Sequence, residues 1–286
     1  MSFFPFILQS DSAWNVDLIF LISFLFIGYV LLTGDWLGRL VPGETKVSSK
    51  QKACFAIGLL LFLICWASPL YLLSHVIFSI HMLQMSILYF FATPLLILGI
   101  PAGILQPFRK FIFFQKVWRF LTRSVIALIM FNGLFILYHI PVVMDEIMTN
   151  RMLHTGFYGL LLVSSVWLWW PVVNPIMKNR LQDKQRKKFA RANTLVLMPA
   201  CLLLLSSFVK YDVFVHVQTQ MNMFGLCYPH PIDLEDLLQV HYLTPVYDQK
   251  LGGLIMMVLH KLSFMVVERT SSYQIRQGKR LEVIVD

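Results

Sequence analysis

The chain has 286 residues, 57% of them hydrophobic and 14% charged, with 24 phenylalanines and a formal net charge of +9. A soluble domain of this size could not bury that much apolar surface, so the composition excludes a soluble globular protein and implies an integral membrane protein. The positive charge does not point to nucleic acid, because the basic residues sit in short runs between apolar segments and not on one face interleaved with aromatics.

A bilayer crossing takes roughly 20 apolar residues, and seven apolar runs are legible: 16–33, 53–73, 76–100, 124–140, 152–173, 194–209 and 252–267. The fourth and sixth are short. Seven crossings and their connections use up the chain, so the expected fold is all-α: a single seven-helix membrane domain over 1–286, with an outer loop at 211–250 between the sixth and seventh spans. The first 15 residues hold no Lys or Arg, and the apolar run after them lacks a small-residue cleavage site. The first run is therefore expected to stay as a span and not to leave as a signal peptide.

Orientation is read from the loops. Arg39, Lys46, Lys50 and Lys52 lie in the first, Arg109, Lys110, Lys116, Arg119 and Arg123 in the third, Lys178 to Arg191 in the fifth, and Arg269, Arg276, Lys279 and Arg280 in the tail. The positive-inside rule makes these segments cytoplasmic, with the N-terminus outside and the C-terminus inside. The expected location is a membrane that the chain crosses several times.

With that topology the histidines gather at the outer side. His75 and His81 open the third run, His139 ends the fourth just before Pro141, His154 opens the fifth, and His216, His230 and His241 fall in the outer loop. Met82, Met85, Met144, Met148 and Met152 share that level, and Met221 and Met223 form an MxM pair. His81 and Met85 are one helical turn apart on one face, a spacing at which a nitrogen and a soft sulfur can hold one ion. The competing structural reading is a His hydrogen-bonded to a neighbouring helix and Met as core filler. His260 is the exception, about 18 Å along the last span from Asp248 at 1.5 Å per residue. It reads either as a packing residue beside a snorkelling Lys261 or as an inner ligand for an ion passing through.

Other features read structurally. Pro94, Pro101, Pro141, Pro171, Pro175 and Pro199 mark kinks or stops. Trp167, Trp169 and Trp170 are expected to form an interfacial belt on the cytoplasmic side. The 211–250 segment is expected to form a cap of short helices, and the terminal LEVIVD a frayed or partner-binding tail.

Cys54, Cys65, Cys201 and Cys227 form no CxxC pair, so His, Met and carboxylate would have to bind any metal. His with Met and without Cys is the ligand set that suits copper, Cu(I) in particular. Asp145, Glu146 and Asp248 are the nearest acceptors for the second imidazole nitrogens. Zinc competes for a site of several His, but no HExxH motif is present. A haem ranks below both, since it needs two axial His from facing helices.

His81-Met82-Leu83-Gln84, the following ATPLLILGIP, His139-Ile140-Pro141, the His154 that opens a run ending in WLWWPV, and Asp248-Gln249-Lys250-Leu251-Gly252-Gly253-Leu254-Ile255-Met256 together resemble the seven-span CtaG family of bacterial cytochrome c oxidase assembly factors. The likeness runs from about the second span to the last. One departure is Met85, where many members carry a second His. The resemblance implies a non-catalytic role in maturing a caa-type oxidase, with copper supplied to its outer-face centre or its buried binuclear centre.

The resulting expectation is a copper-binding assembly factor whose metal ligands are His75, His81, Met85, His139, His154 and Asp248. Its partners would be cytochrome c oxidase subunits, the bilayer and an extracytoplasmic copper donor, and a dimer is compatible with the sequence. The alternatives are a membrane-embedded zinc hydrolase acting on a lipid amide, a copper channel with ligands at several depths, and a metal-free oxidase scaffold.

Overall fold

The computed structural model describes residues 13–34, 47–105, 111–176, 179–206, 208, 210–216, 218–221 and 243–285, with side chains up to residue 271. Among the described residues every regular element is helical: α1 (Val16–Leu32), α2 (Ser49–Ala67), α3 (Leu70–Leu73), α4 (Phe78–Ser86), a π-helical turn (Ile87–Ala92), α5 (Thr93–Gly99), a 3-10 turn (Ala102–Leu105), α6 (Ile112–Leu121), α7 (Ser124–Tyr138), α8 (Pro141–Thr149), α9 (Arg151–Val173), α10 (Asp183–Leu205), α11 (Asp212–Val215) and α12 (Pro245–Val285).

Each of the seven apolar runs is mainly helical, though two of them are divided into shorter elements. Five stretches are long and apolar enough to cross a membrane: Ser49–Ala67, Phe78–Gly99, Arg151–Val173, Asp183–Leu205 and Pro245–Ser271. A sixth follows if Gln115–Leu121 and Ser124–Tyr138, bent by 70°, count as one, and Val16–Leu32 is a shorter apolar helix. The molecule has a multi-pass membrane architecture.

The run at 53–73 proves to be two helices. Ser68 is extended, Pro69 restarts the chain as the N-cap of α3, and the Ser68 hydroxyl donates back to the Ile64 carbonyl at 2.6 Å. The loop expected at 178–191 is shorter, because α10 already begins at Asp183 behind a Gln182/Gln185 capping box. The tail expected to fray continues α12 through Val285, and α12 begins inside the expected outer loop, which puts Asp248 in its first turn.

The Phe78–Gly99 stretch is the centre of the bundle. In its most apolar window 72% of the residues are buried, against at most 50% for the other candidate spans. Its π turn ends against Thr93-Pro94. Proline lacks an N–H and crowds the carbonyl four residues back, and the wider turn accommodates both. The Thr93 hydroxyl donates to the Leu88 carbonyl at 3.0 Å and lies 3.0 Å from the Ser165 hydroxyl of α9. Trp169 Nε1 of α9 donates to the Tyr89 carbonyl at 2.8 Å. This overturns the expected belt at one of its three positions: Trp169 is wholly buried, since its N–H serves a carbonyl of the central helix. Small residues let α2 come close to α5, because a Cβ on Gly99 would meet Phe55 Cβ at 2.5 Å and one on Gly58 would meet Leu96 Cγ at 2.8 Å.

The Asp-Gln-x-x-Gly-Gly segment joins α12 to two neighbours at once. Asp248 Oδ2 accepts from Phe78 N at 2.7 Å and its Oδ1 from Ser79 N at 3.1 Å, which caps the open N-terminus of α4. Gln249 Nε2 donates to the Leu204 and Ser206 carbonyls at the end of α10, at 3.0 and 3.3 Å. One turn on, a Cβ at Gly252 would meet Phe78 Cδ1 at 2.7 Å and Met82 Cγ at 2.9 Å, while one at Gly253 would meet Leu204 Cβ at 2.9 Å. Glycine is needed at both because α4 and α10 lie directly against this helix.

Candidate metal centre

His75, His81, His139 and His154 lie at one end of the bundle, and all four are buried. Two of them share a geometry fixed by helix ends. His139 caps the C-terminus of α7, where the last carbonyls lack intrahelical partners. Its Nδ1 donates to the Phe135 carbonyl at 2.6 Å. His75 follows α3 directly, and its Nδ1 donates to the Tyr71 carbonyl at 2.7 Å. A carbonyl accepts only, so in each neutral imidazole the proton is on Nδ1 and Nε2 carries a bare lone pair. This is how a metal-ligating His is usually oriented. Two of the three expected carboxylate acceptors, Asp145 and Asp248, cap helices instead. Asp248 caps α4, and Asp145 accepts from Asp212 N at 3.2 Å and Val213 N at 3.1 Å at the start of α11.

The bare nitrogen of His139 faces sulfur. Nε2 lies 3.4 Å from Met82 Sδ. With the proton on Nδ1 neither atom has a hydrogen to offer the other, so this is a contact of lone pair to lone pair. Metal–nitrogen and metal–sulfur bonds of roughly 2.0 and 2.3 Å, sharing one ion near a tetrahedral angle, put the two donors roughly 3.5 Å apart. The sulfur beside His139 is thus Met82. Met85 is buried in the apolar core one turn along the same helix.

His81 lies within electrostatic range of the other three imidazoles. Its Nε2 is 3.0 Å from Tyr138 Oη, and Tyr158 Oη lies 3.5 Å from both ring nitrogens. The two phenol oxygens are 3.2 Å apart. His75 and His154 are neighbours, with ring centroids 5.1 Å apart and planes tilted by 50°, and the His154 ring lies tilted against Tyr158 at 4.1 Å. Both line a cavity of about 310 Å³ together with Asn15, Tyr71 and Met148. Burial pushes the His75 imidazole below its ordinary pKa and so favours the neutral form a metal needs, while its bond to the Tyr71 carbonyl opposes that shift.

The six expected ligands therefore do not form one shell. His139 pairs with Met82, His81 with two tyrosines, and His75 with His154, while Asp248 spends both oxygens on backbone N–H groups. Among the described residues no group of three or more His, Cys, Asp or Glu is arranged to hold a metal ion. Met152, expected at the same level, is 86% exposed and points away, whereas Met144 and Met148 are buried. His216 is exposed and sits 3.5 Å from Asp212. His230, His241, Met223 and Cys227 lie outside the described residues.

His260 is packed differently. Asn193 Nδ2 donates to its Nε2 at 2.6 Å, and the Asn193 Oδ1 accepts from Asn132 Nδ2 at 2.6 Å. Phe90 and Phe264 flank the ring. The nitrogen that could take an ion already has a hydrogen.

The tyrosines were not singled out in the sequence, yet they carry a signal. Tyr71 is four residues before His75 and Tyr158 four after His154, so helical spacing sets a phenol beside two of the four imidazoles.

No curated protein and no solved structure matches the chain. A family model does: residues 27–276 match that of the cytochrome c oxidase caa3 assembly factor, Caa3_CtaG. With its aspartate- and glycine-built clamp, its buried histidine end and that match over most of its length, this chain belongs to the Caa3_CtaG family of cytochrome c oxidase assembly factors.

Proposed function

We propose that this protein is a non-catalytic, seven-span factor of a bacterial plasma membrane that holds Cu(I) at Met82 and His139 and passes it to cytochrome c oxidase. The single observation that carries the reading is the 3.4 Å approach of a deprotonated imidazole nitrogen to a thioether sulfur. A soft monovalent ion matches that donor pair. Membership of an oxidase assembly family supplies the recipient. The basic loops between the apolar runs support the N-out, C-in orientation, which puts the histidine end on the extracytoplasmic side.

The test pairs the purified protein with the oxidase it serves. Wild-type protein loaded with Cu(I) retains copper through gel filtration, whereas Met82→Leu/His139→Gln retains less. A strain lacking the factor regains a copper-replete caa-type oxidase with the wild-type gene and not with that variant. Full rescue by a variant that binds no copper would leave the protein a metal-free scaffold.

A further inference from the structure

The Met82–His139 pair does not use the two imidazoles at the cavity. His75 and His154 come from different elements, the first from the turn after α3 and the second from the first turn of α9, yet both rings are over nine-tenths buried, at 3% and 7% exposure. His75 has its proton tied to the Tyr71 carbonyl. His154 Nε2 is buried and has no hydrogen-bond partner among the described residues. A buried polar atom left so is rare and costly, and calls for an explanation. Ring contacts link this pair to His139: His154 lies 4.1 Å from Tyr158, Tyr158 5.9 Å from Tyr138 and Tyr138 5.4 Å from His139, with both tyrosine hydroxyls gathered on His81.

Resting on the copper reading above, we propose that His75 and His154 form a second, separate Cu(I) site. It is a loading station on the cavity, from which the ion crosses the His81–tyrosine layer to Met82 and His139. Two imidazole nitrogens suffice for Cu(I), which accepts low coordination and borderline donors. Arg151 is the one charged residue among the described residues lining the cavity, and it is exposed. Its field opposes a dication twice as strongly as a monocation at the same distance, which favours Cu(I) over Cu(II) or Zn(II) there. Transfer between the stations is ligand exchange: imidazole nitrogens release the ion, nitrogen and sulfur accept it, and no electron moves.

The experiment is a Cu(I) titration of the full-length protein in detergent against a competing chelator, under reducing conditions. Wild type is expected to take up two equivalents, His75→Gln/His154→Gln one, and Met82→Leu/His139→Gln one. One equivalent in wild type, lost with Met82→Leu/His139→Gln and kept in His75→Gln/His154→Gln, would overturn the loading station and leave the copper reading standing. One equivalent lost in either double variant would mean a single merged site and would also overturn it. No Cu(I) uptake by wild type would sink the copper reading itself. If the His75→Gln/His154→Gln protein fails to elute as a monodisperse peak, the single His154→Gln variant decides. It should weaken only one of two equivalents, by tenfold or more, and unchanged binding of both would refute the proposal.

Discussion

His139 and His260 are both buried against aromatic rings where an apolar helix meets its neighbours, but their Nε2 atoms face opposite chemistry. His260 Nε2 accepts a hydrogen from Asn193, which is itself held by Asn132. His139 Nε2 faces the Met82 sulfur with no hydrogen between them once Nδ1 has bonded to Phe135. Burial of a histidine in a membrane bundle is therefore not by itself a sign of metal. What distinguishes the two ends is which nitrogen the fold occupies and whether a soft donor faces the other.

The comparison can be broken most sharply by exchanging donors. Met82→Leu with His139→Gln should abolish copper retention at that site, while His260→Gln should leave the metal content of the purified protein unchanged. Equal losses from both would erase the distinction. Asp248→Ala should come next in effect. It strips the acceptors from two buried N–H groups at the start of the helix that carries His81 and Met82, at a cost of about 2–5 kcal/mol. A fall in melting temperature accompanied by weaker copper binding would show that the cap positions the site. Gly252→Ala puts a Cβ against Phe78 and Met82, an overpacking of about 1–3 kcal/mol. It should weaken Cu(I) affinity, whereas Gly253→Ala, which meets Leu204 instead, should lower thermal stability with affinity nearly intact. Asp145→Ala removes a cap from the four-residue α11 and should have the smallest effect, about 0.5–2 kcal/mol in thermal or denaturant unfolding. Burial holds the Asp145 carboxyl above its usual pKa against those two N–H bonds, so part of the cap's value is already offset.

Much of the histidine end was legible because helix ends are legible. His139 just before Pro141, His154 at the start of the fifth run and His75 between two apolar runs each mark a terminus, and these termini meet on one side of the bundle. Which of Met82 and Met85 faces His139 was not legible. The two sulfurs differ by three residues, and the rotation of α4 that turns Met82 toward His139 is set by Asp248 and Gly252, more than 160 residues later in the chain. The acceptors were misjudged for a related reason. Carboxylates stand out in an apolar sequence, but a backbone carbonyl freed at a helix C-terminus is invisible in it, and those carbonyls hold His75 and His139. Trp169 looked interfacial by its place near a span end, whereas its N–H satisfies the Tyr89 carbonyl inside the core.

The central claim, that Met82 and His139 share one ion, is tested most directly by X-ray absorption at the copper K edge on Cu(I)-loaded His75→Gln/His154→Gln protein. The account predicts nitrogen and one sulfur in the first shell, with the sulfur lost on Met82→Leu. A shell of light atoms only, or a sulfur that survives that substitution, would contradict it.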